Sequence, residues 1–179
     1  MIQVFNSINA LRLHLPKDVN IHGVITNGGV AANVVPDFAS ARFYLRAANR
    51  STLNEVYAKV ENIVKAAALA TGATYEFGLF QNSVDDIIVT DSFDELFFSH
   101  AASSGVPVEE IVETKKHSLG SSDVGNVSQV IPTIQPTVSI SDDYIAGHSI
   151  EFKAAARSEK GLHSIGIAAN LLDKTALEL

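Results

Sequence analysis

Two β-prone runs joined by a glycine- and proline-bearing turn fill the stretch from Ile21 to Arg46, IHGVITNGGVAANVVPDFASARFYLR. Residues 19–26 are rich in β-branched side chains and predict a strand. Asn27-Gly28-Gly29 is a turn signal, because glycine reaches positive φ without a Cβ clash. Residues 39–47 alternate, with Ala41, Phe43 and Leu45 on one face and Arg42, Tyr44 and Arg46 on the other. A chain with this segment is committed to an antiparallel hairpin with one buried face. His22, Asn33 and Arg46 stand where a purely structural hairpin has no need of them.

The neighbours of the hairpin read as its support. Phe5, Ile8 and Leu11 have helical spacing, Pro16 ends the pattern, and no capping residue precedes it, so a helix is expected to start at or before Met1. Residues 51–70 are the strongest helix, with Leu53, Val56, Val60, Ile63, Val64 and Ala67 on one face. Thr52 and Glu55 have capping-box spacing, and Gly72 is the stop signal. Residues 74–80 alternate at Tyr75, Phe77 and Leu79 and predict a further strand. Residues 1–85 thus spell helix, strand, strand, helix, strand: an α+β module of ferredoxin-like arrangement, with helices on one face of an antiparallel sheet.

From residue 86 the character changes. Ser92 and Glu95 are expected to cap a helix running through Ser104, which Gly105 and Pro107 stop; residues 108–112 are expected to be extended. The small-residue loop Gly120–Ser128 leads towards a short helix, and residues 131–140 are β-rich, although Pro132 and Pro136 limit any ladder. Residues 144–149 form a loop ending at a helix start, and residues 158–177 predict a final helix with Leu162, Ile165, Ala169, Leu172 and Ala176 on one side. Two helices and one or two short strands are few for a free-standing α/β domain, which points to a missing first half or to a partner that completes it.

Composition narrows the function. Net charge is −7 and the largest basic cluster is the pair Lys115-Lys116, so the concentrated positive face that nucleic acid requires is lacking. No apolar run approaches the length of a membrane span, and the N-terminus lacks the pattern of a signal peptide. The sequence has no cysteine, which excludes disulfides and thiolate metal sites and fits a reducing cytoplasm.

Six histidines are present. His14, His100 and His163 fall on predicted helices in packing or solvent-exposed roles, and His117, after two lysines, is unassigned. His148 sits in Ala-Gly-His-Ser at a loop-to-helix junction, where an imidazole can point into a cleft; no HxxxH, HxH or HxD pair accompanies it, and a metal centre needs more than one ligand. His22, Asn33 and Arg46 combine a histidine donor, an amide and a guanidinium, a set suited to an anionic, carbonyl-containing ligand. Each also has a plain reading: strand-end histidine, turn former, surface charge. Asp123 reads either as an N-cap or as a carboxylate behind a metal-bound histidine. The Gly120–Gly125 loop lacks the Gly-Lys-Ser/Thr ending of a phosphate loop.

Three blocks in order, residues 21–36 with 43–47, Gly120–Ser128, and Gly147-His-Ser-Ile-Glu-Phe152 with the final helix, closely resemble a metallopeptidase family. It is the family of aminoacylases, carboxypeptidase G and aminobenzoyl-glutamate hydrolases. The resemblance implies a lid, or dimerisation, domain over residues 1–85 and the C-terminal half of an α/β catalytic domain over residues 86–179, with the N-terminal catalytic half absent. It implies that His148 is a metal ligand, and Asp123 keeps its two readings. His22 is then the lid histidine that reaches the partner's active site to polarise the scissile carbonyl, and Asn33 and Arg46 bind the substrate carboxylate. The implied cofactor is a divalent metal, zinc first and manganese or cobalt as alternatives. The implied partners are a second copy through the lid, a separate N-terminal half and a small amide substrate. One surviving ligand does not hold a catalytic metal, so this chain is expected to be inactive alone. The competing class is a non-catalytic dimerisation or ligand-binding module.

Overall fold

The alternation between Ile21 and Arg46 produces an antiparallel hairpin, β1 (Asn20–Asn27) and β2 (Ser40–Arg46), in a computed structural model that describes residues 1–104, 106 and 120–178. Its register sets Ile21 against Leu45, Gly23 against Phe43 and Ile25 against Ala41 on one face, and His22 against Tyr44 and Val24 against Arg42 on the other. The first face meets the core: Ile21 is buried, and Phe43 and Leu45 pack against the same cluster. A Cβ at Gly23 would lie 2.2 Å from the Phe43 ring, so any side chain there would displace the ring. With glycine in place the ring crosses β1 and meets Phe5 at 4.9 Å between centroids.

Two helices cover that face. α1 (Ile2–Arg12) contributes Val4 and Ile8, and α2 (Arg50–Thr71) contributes Val56, Val60 and Ala67. The start of α2 differs from the Thr52/Glu55 expectation. Asn49 is the N-cap, its Oδ1 accepting the Thr52 amide at 2.9 Å, because an asparagine in extended conformation offers its side chain to the free amides of the first turn. Gly72 ends the helix in the left-handed conformation, φ 69°. The Arg50 amide donates to Asp86 Oδ1 at 2.8 Å, while its guanidinium pairs with Asp85 and donates to Ser83 Oγ at 2.6 Å.

Residues 74–80, expected as a third strand, form no ladder; the sheet among the described residues consists of β1 and β2. In a split β-α-β arrangement the strand after the second helix pairs beside the strand that precedes the first. Here the segment docks on the unit by its aromatic side chains instead of by backbone pairing. Phe77 stacks on Tyr57 of α2 at 4.9 Å, and Phe80 meets Tyr44 of β2 edge-on at 5.2 Å.

The chain divides into two units, Met1–Asp86 and Ile87–Leu179. The second contains α3 (Asp91–Ser103), α4 (Val124–Ser128), α5 (Ile150–Ala155) and α6 (Glu159–Leu177), and no strand among its described residues. Its core joins Phe97 and Ala101 of α3 to Leu171 of α6, with Ile134 and Ile167 against them. α3 starts before Ser92: Thr90 is its N-cap, and Asp91 and Asp94 set negative charge against the helix N-terminus. The Thr90 hydroxyl accepts the Thr133 amide at 2.9 Å and the Thr90 amide donates to the Thr133 carbonyl at 2.9 Å. This fastens residues 131–140 to α3, but Pro132 and Pro136 remove amide donors and the expected strand does not form. The expected extended run at 108–112, the Gly105/Pro107 stop and His117 lie outside the described residues.

Ser149 caps α5 and Ser158 caps α6. At the corner between them a Cβ on Gly161 would lie 2.4 Å from the Ala155 carbonyl oxygen. The expected apolar side of α6 is not the packed one. Gly161, Ser164, Leu171 and Thr175 are buried, whereas Leu162, Ile165 and Leu172 are 60%, 64% and 50% exposed. The packed stripe is the adjacent one, where small residues admit close approach to other parts of the unit.

Ile8 is 1% exposed in the first core. Ile8→Ala is expected to destabilise the first unit by about 2–5 kcal/mol and Asn49→Ala by about 1 kcal/mol, both read from urea-unfolding midpoints of the chain.

Candidate functional site

The face of the hairpin turned away from α1 and α2 carries Asn20, His22 and Val24 on β1 and Arg42, Tyr44 and Arg46 on β2. His22 stands directly opposite Tyr44, and Arg46 is two residues further along the same face. Direct cross-strand Cβ atoms lie about 5 Å apart and diagonal positions about 7–8 Å, so the imidazole and the guanidinium can reach one ligand. Both residues are exposed, and neither side chain has a hydrogen bond or ion pair to another described residue.

Sequence reasoning missed the wall of this surface. Phe80 packs edge-on to Tyr44, Arg42 lies over the Phe80 ring at 5.5 Å, and the Tyr44 hydroxyl donates to Gln81 Oε1 at 3.0 Å. The alternation of Arg42, Tyr44 and Arg46 marked one side of it. Reading residues 74–80 as a ladder strand hid Phe80 and Gln81, which follow no period-2 rule here.

Asn33 lies elsewhere. It belongs to the loop between β1 and β2, which leaves the sheet at Asn27, the end opposite Arg46. At about 3.4 Å per residue, the five steps from His22 to Asn27 span about 17 Å. Within one copy, His22 and Arg46 are therefore brought together and Asn33 is not. The loop is shaped by the Asn27 side chain, which accepts the Gly29 amide at 3.1 Å, and by Gly29 at φ 107° against Pro36. Val30, Val34, Val35 and Phe38 surround a depression of about 370 Å³ on it. An extra residue, Thr26, bulges the ladder at the loop's base, its hydroxyl sharing a 2.7 Å hydrogen bond with Ser40.

In the second unit His148 precedes the Ser149 cap of α5 and is exposed, with φ 63°. That left-handed conformation is uncommon for a residue with a Cβ and often marks a functional constraint. Asp123 occupies the N-cap position of α4 without a side-chain capping bond; its carbonyl accepts the Asn126 and Val127 amides. No hydrogen bond joins Asp123 to His148 among the described residues, and these contain no group of three or more His, Cys, Asp or Glu side chains that could hold a metal. His14 and His163 are exposed. His100 is buried on α3, with Nε2 3.7 Å from Glu178 Oε2 and without a hydrogen bond.

Comparison with known proteins matches residues 1–72 to the family model of the peptidase dimerisation domain. Residues 1–72 are thus similar to the dimerisation domain of the M20 peptidases. The chain is also similar to the human Xaa-Arg dipeptidase, 27% identical over 178 residues, and to its mouse counterpart, 28% identical over the same length. These alignments cover 99% of this chain and 41% of each relative, so the chain spans about two fifths of the length of those dipeptidases. A shorter similarity, 35% identity over 69 residues, links 38% of the chain to 14% of one of the polypeptides of the p-aminobenzoyl-glutamate hydrolase of Escherichia coli K12. The matched residues contain α1, the hairpin and α2, and end at the Gly72 cap.

Phe80 and Gln81 lie beyond the matched residues yet form one wall of the outer face. Phe80→Ala is expected to accelerate amide exchange across residues 78–82 while leaving protection of the β1–β2 ladder unchanged, as read by hydrogen–deuterium exchange.

Proposed function

We propose that this chain supplies the lid and one metal-binding histidine of a metal-dependent amidohydrolase acting on N-acyl amino acids or aminobenzoyl-glutamate-like substrates. The adjacency of His22 and Arg46, both exposed on the outer sheet face beside the Phe80–Gln81 wall, carries this reading. In such substrates the scissile carbonyl and the free carboxylate are separated only by the amide nitrogen and Cα. A ring N–H donor beside a guanidinium matches that spacing. His22 donates a hydrogen bond to the carbonyl oxygen as it gains charge, and Arg46 holds the carboxylate through paired N–H bonds. The names of the relatives, a dipeptidase and an aminobenzoyl-glutamate hydrolase, support amide hydrolysis beside a carboxylate.

The lid is proposed to pair with a second copy, in keeping with its dimerisation-domain match. Such pairing gives the distant Asn33 loop a place, because His22 of one copy and Asn33 of the other then serve a shared site. His148 supplies one imidazole, with the Asp123 carboxylate behind it. The described residues do not fit a complete metal centre. The remaining ligands of a zinc, manganese or cobalt ion, and the general base, belong to an N-terminal catalytic half outside this chain. The location that follows is the cytoplasm.

The purified chain, assayed with N-acetyl amino acids and aminobenzoyl-glutamate with and without added zinc, is expected to show no turnover; metal-dependent hydrolysis by the chain alone would overturn the divided-site reading. In the complete enzyme, His22→Ala is expected to lower kcat by about 10²–10³ with little change in KM. Arg46→Ala is expected to raise KM by about tenfold or more. If neither substitution affects kinetics while dimerisation persists, the alternative of a non-catalytic dimerisation module holds.

A further inference from the structure

The outer face of the hairpin carries a second arginine besides Arg46. Arg42 and Arg46 stand on either side of Tyr44, and therefore of His22, which Tyr44 faces across the ladder. β1 and β2 contain no aspartate or glutamate, in a chain where acidic residues outnumber basic ones 20 to 13. Neither arginine has a hydrogen bond or ion pair to another described residue. The face is thus a strip of uncompensated positive charge on an acidic chain, an arrangement that attracts an anion. Arg42 is also supported. Its guanidinium lies over the Phe80 ring at 5.5 Å, Phe80 packs edge-on with Tyr44 at 5.2 Å, and the Tyr44 hydroxyl donates to Gln81 Oε1 at 3.0 Å. A guanidinium resting on a ring keeps its N–H edges for a partner and gives up less freedom when it binds one.

We propose that Arg42 determines specificity by binding a second carboxylate at the far end of the acyl group, so that the preferred substrates are amino acids acylated by a dicarboxylic acid. This rests on the roles proposed above, Arg46 on the substrate carboxylate and His22 on the scissile carbonyl. Those two contacts fix the direction of the substrate. The acyl chain leaves the carbonyl on the side away from the amino-acid carboxylate, which on this face is along the strands towards Val24 and Arg42. Length agrees with direction. Arg42 and Arg46 are four residues apart on β2, about 14 Å along the strand. In an N-glutaryl amino acid seven bonds separate the two carboxylate carbons, about 8 Å when extended. A charge-assisted hydrogen bond of about 3 Å at each end closes the span. Val24 pairs with Arg42 across the ladder and is 59% exposed, so the methylenes of the acyl chain meet an apolar side chain on the way.

The strip lies wholly on this chain, so binding to the whole chain tests the assignment without any turnover. N-glutarylglycine and N-pentanoylglycine, which differ only in the terminal carboxylate, are titrated into the isotope-labelled chain and backbone amide shifts are followed by NMR. Both are expected to move the His22 and Arg46 resonances, and N-glutarylglycine alone those of Arg42, Phe80 and Gln81. N-glutarylglycine is expected to bind about three- to tenfold more tightly. Arg42→Gln is expected to bring its affinity to that of N-pentanoylglycine and to leave the latter unchanged. Arg42 is exposed, so the variant is expected to keep the amide dispersion of the parent. Equal affinity for the two ligands, or a preference that survives Arg42→Gln, would overturn the assignment to Arg42; with His22 and Arg46 still responding to both ligands, the carboxylate-and-carbonyl reading stands. If neither ligand moves His22 or Arg46, that reading fails and the role of Arg42 falls with it.

Discussion

Everything in the first unit depends on the register of one hairpin. Gly23 opposite Phe43 fixes it locally, since the ring occupies the space a side chain at position 23 would need. Because strand side chains alternate, a slip of one residue would turn Ile21, Phe43 and Leu45 outward and His22 and Arg46 into the core. The buried face thus determines which polar residues are offered to solvent. Packing and chemistry in this unit are two sides of a single alternation.

How much of this the sequence disclosed varies with the range of the interaction. The hairpin, α2 and its Gly72 stop, and the junction at His148 were legible because period-2 alternation, period-3.6 spacing and turn chemistry are local. Helix starts were less so: Asn49 and Thr90 took the capping positions in place of nearby candidates, and Thr90 did so while its hydroxyl served a distant amide at Thr133. The strand expected at 74–80 gave way to a non-local interaction, the docking of Phe77 on Tyr57 and of Phe80 on Tyr44. Likewise Leu162, Ile165 and Leu172 form the more apolar side of α6, yet packing selected the stripe whose small residues admit close approach. At the site, residue types were readable but distances were not. Nothing local to Asn33 reveals that its loop springs from the end of the hairpin opposite Arg46.

The second unit shows what β-prone sequence does without a sheet to join. Ile87, Ile88 and Val89 stay substantially exposed, and residues 131–140 are secured by side-chain and isolated backbone bonds rather than by a ladder. Helix-to-helix packing of α3 on α6 supplies its core, and no ladder forms among its described residues.

The bond from the Arg50 amide to Asp86, reinforced by the Arg50–Asp85 ion pair, fixes where the chain leaves the first unit. The polypeptide leaves the first unit beside the point where α2 begins. The exit of the chain from this unit is therefore fixed at a helix start by charge and hydrogen bonds. These bonds tie the segment that leaves the first unit to the start of α2, while Phe80 and Gln81 tie the residues just before it to Tyr44 of the hairpin.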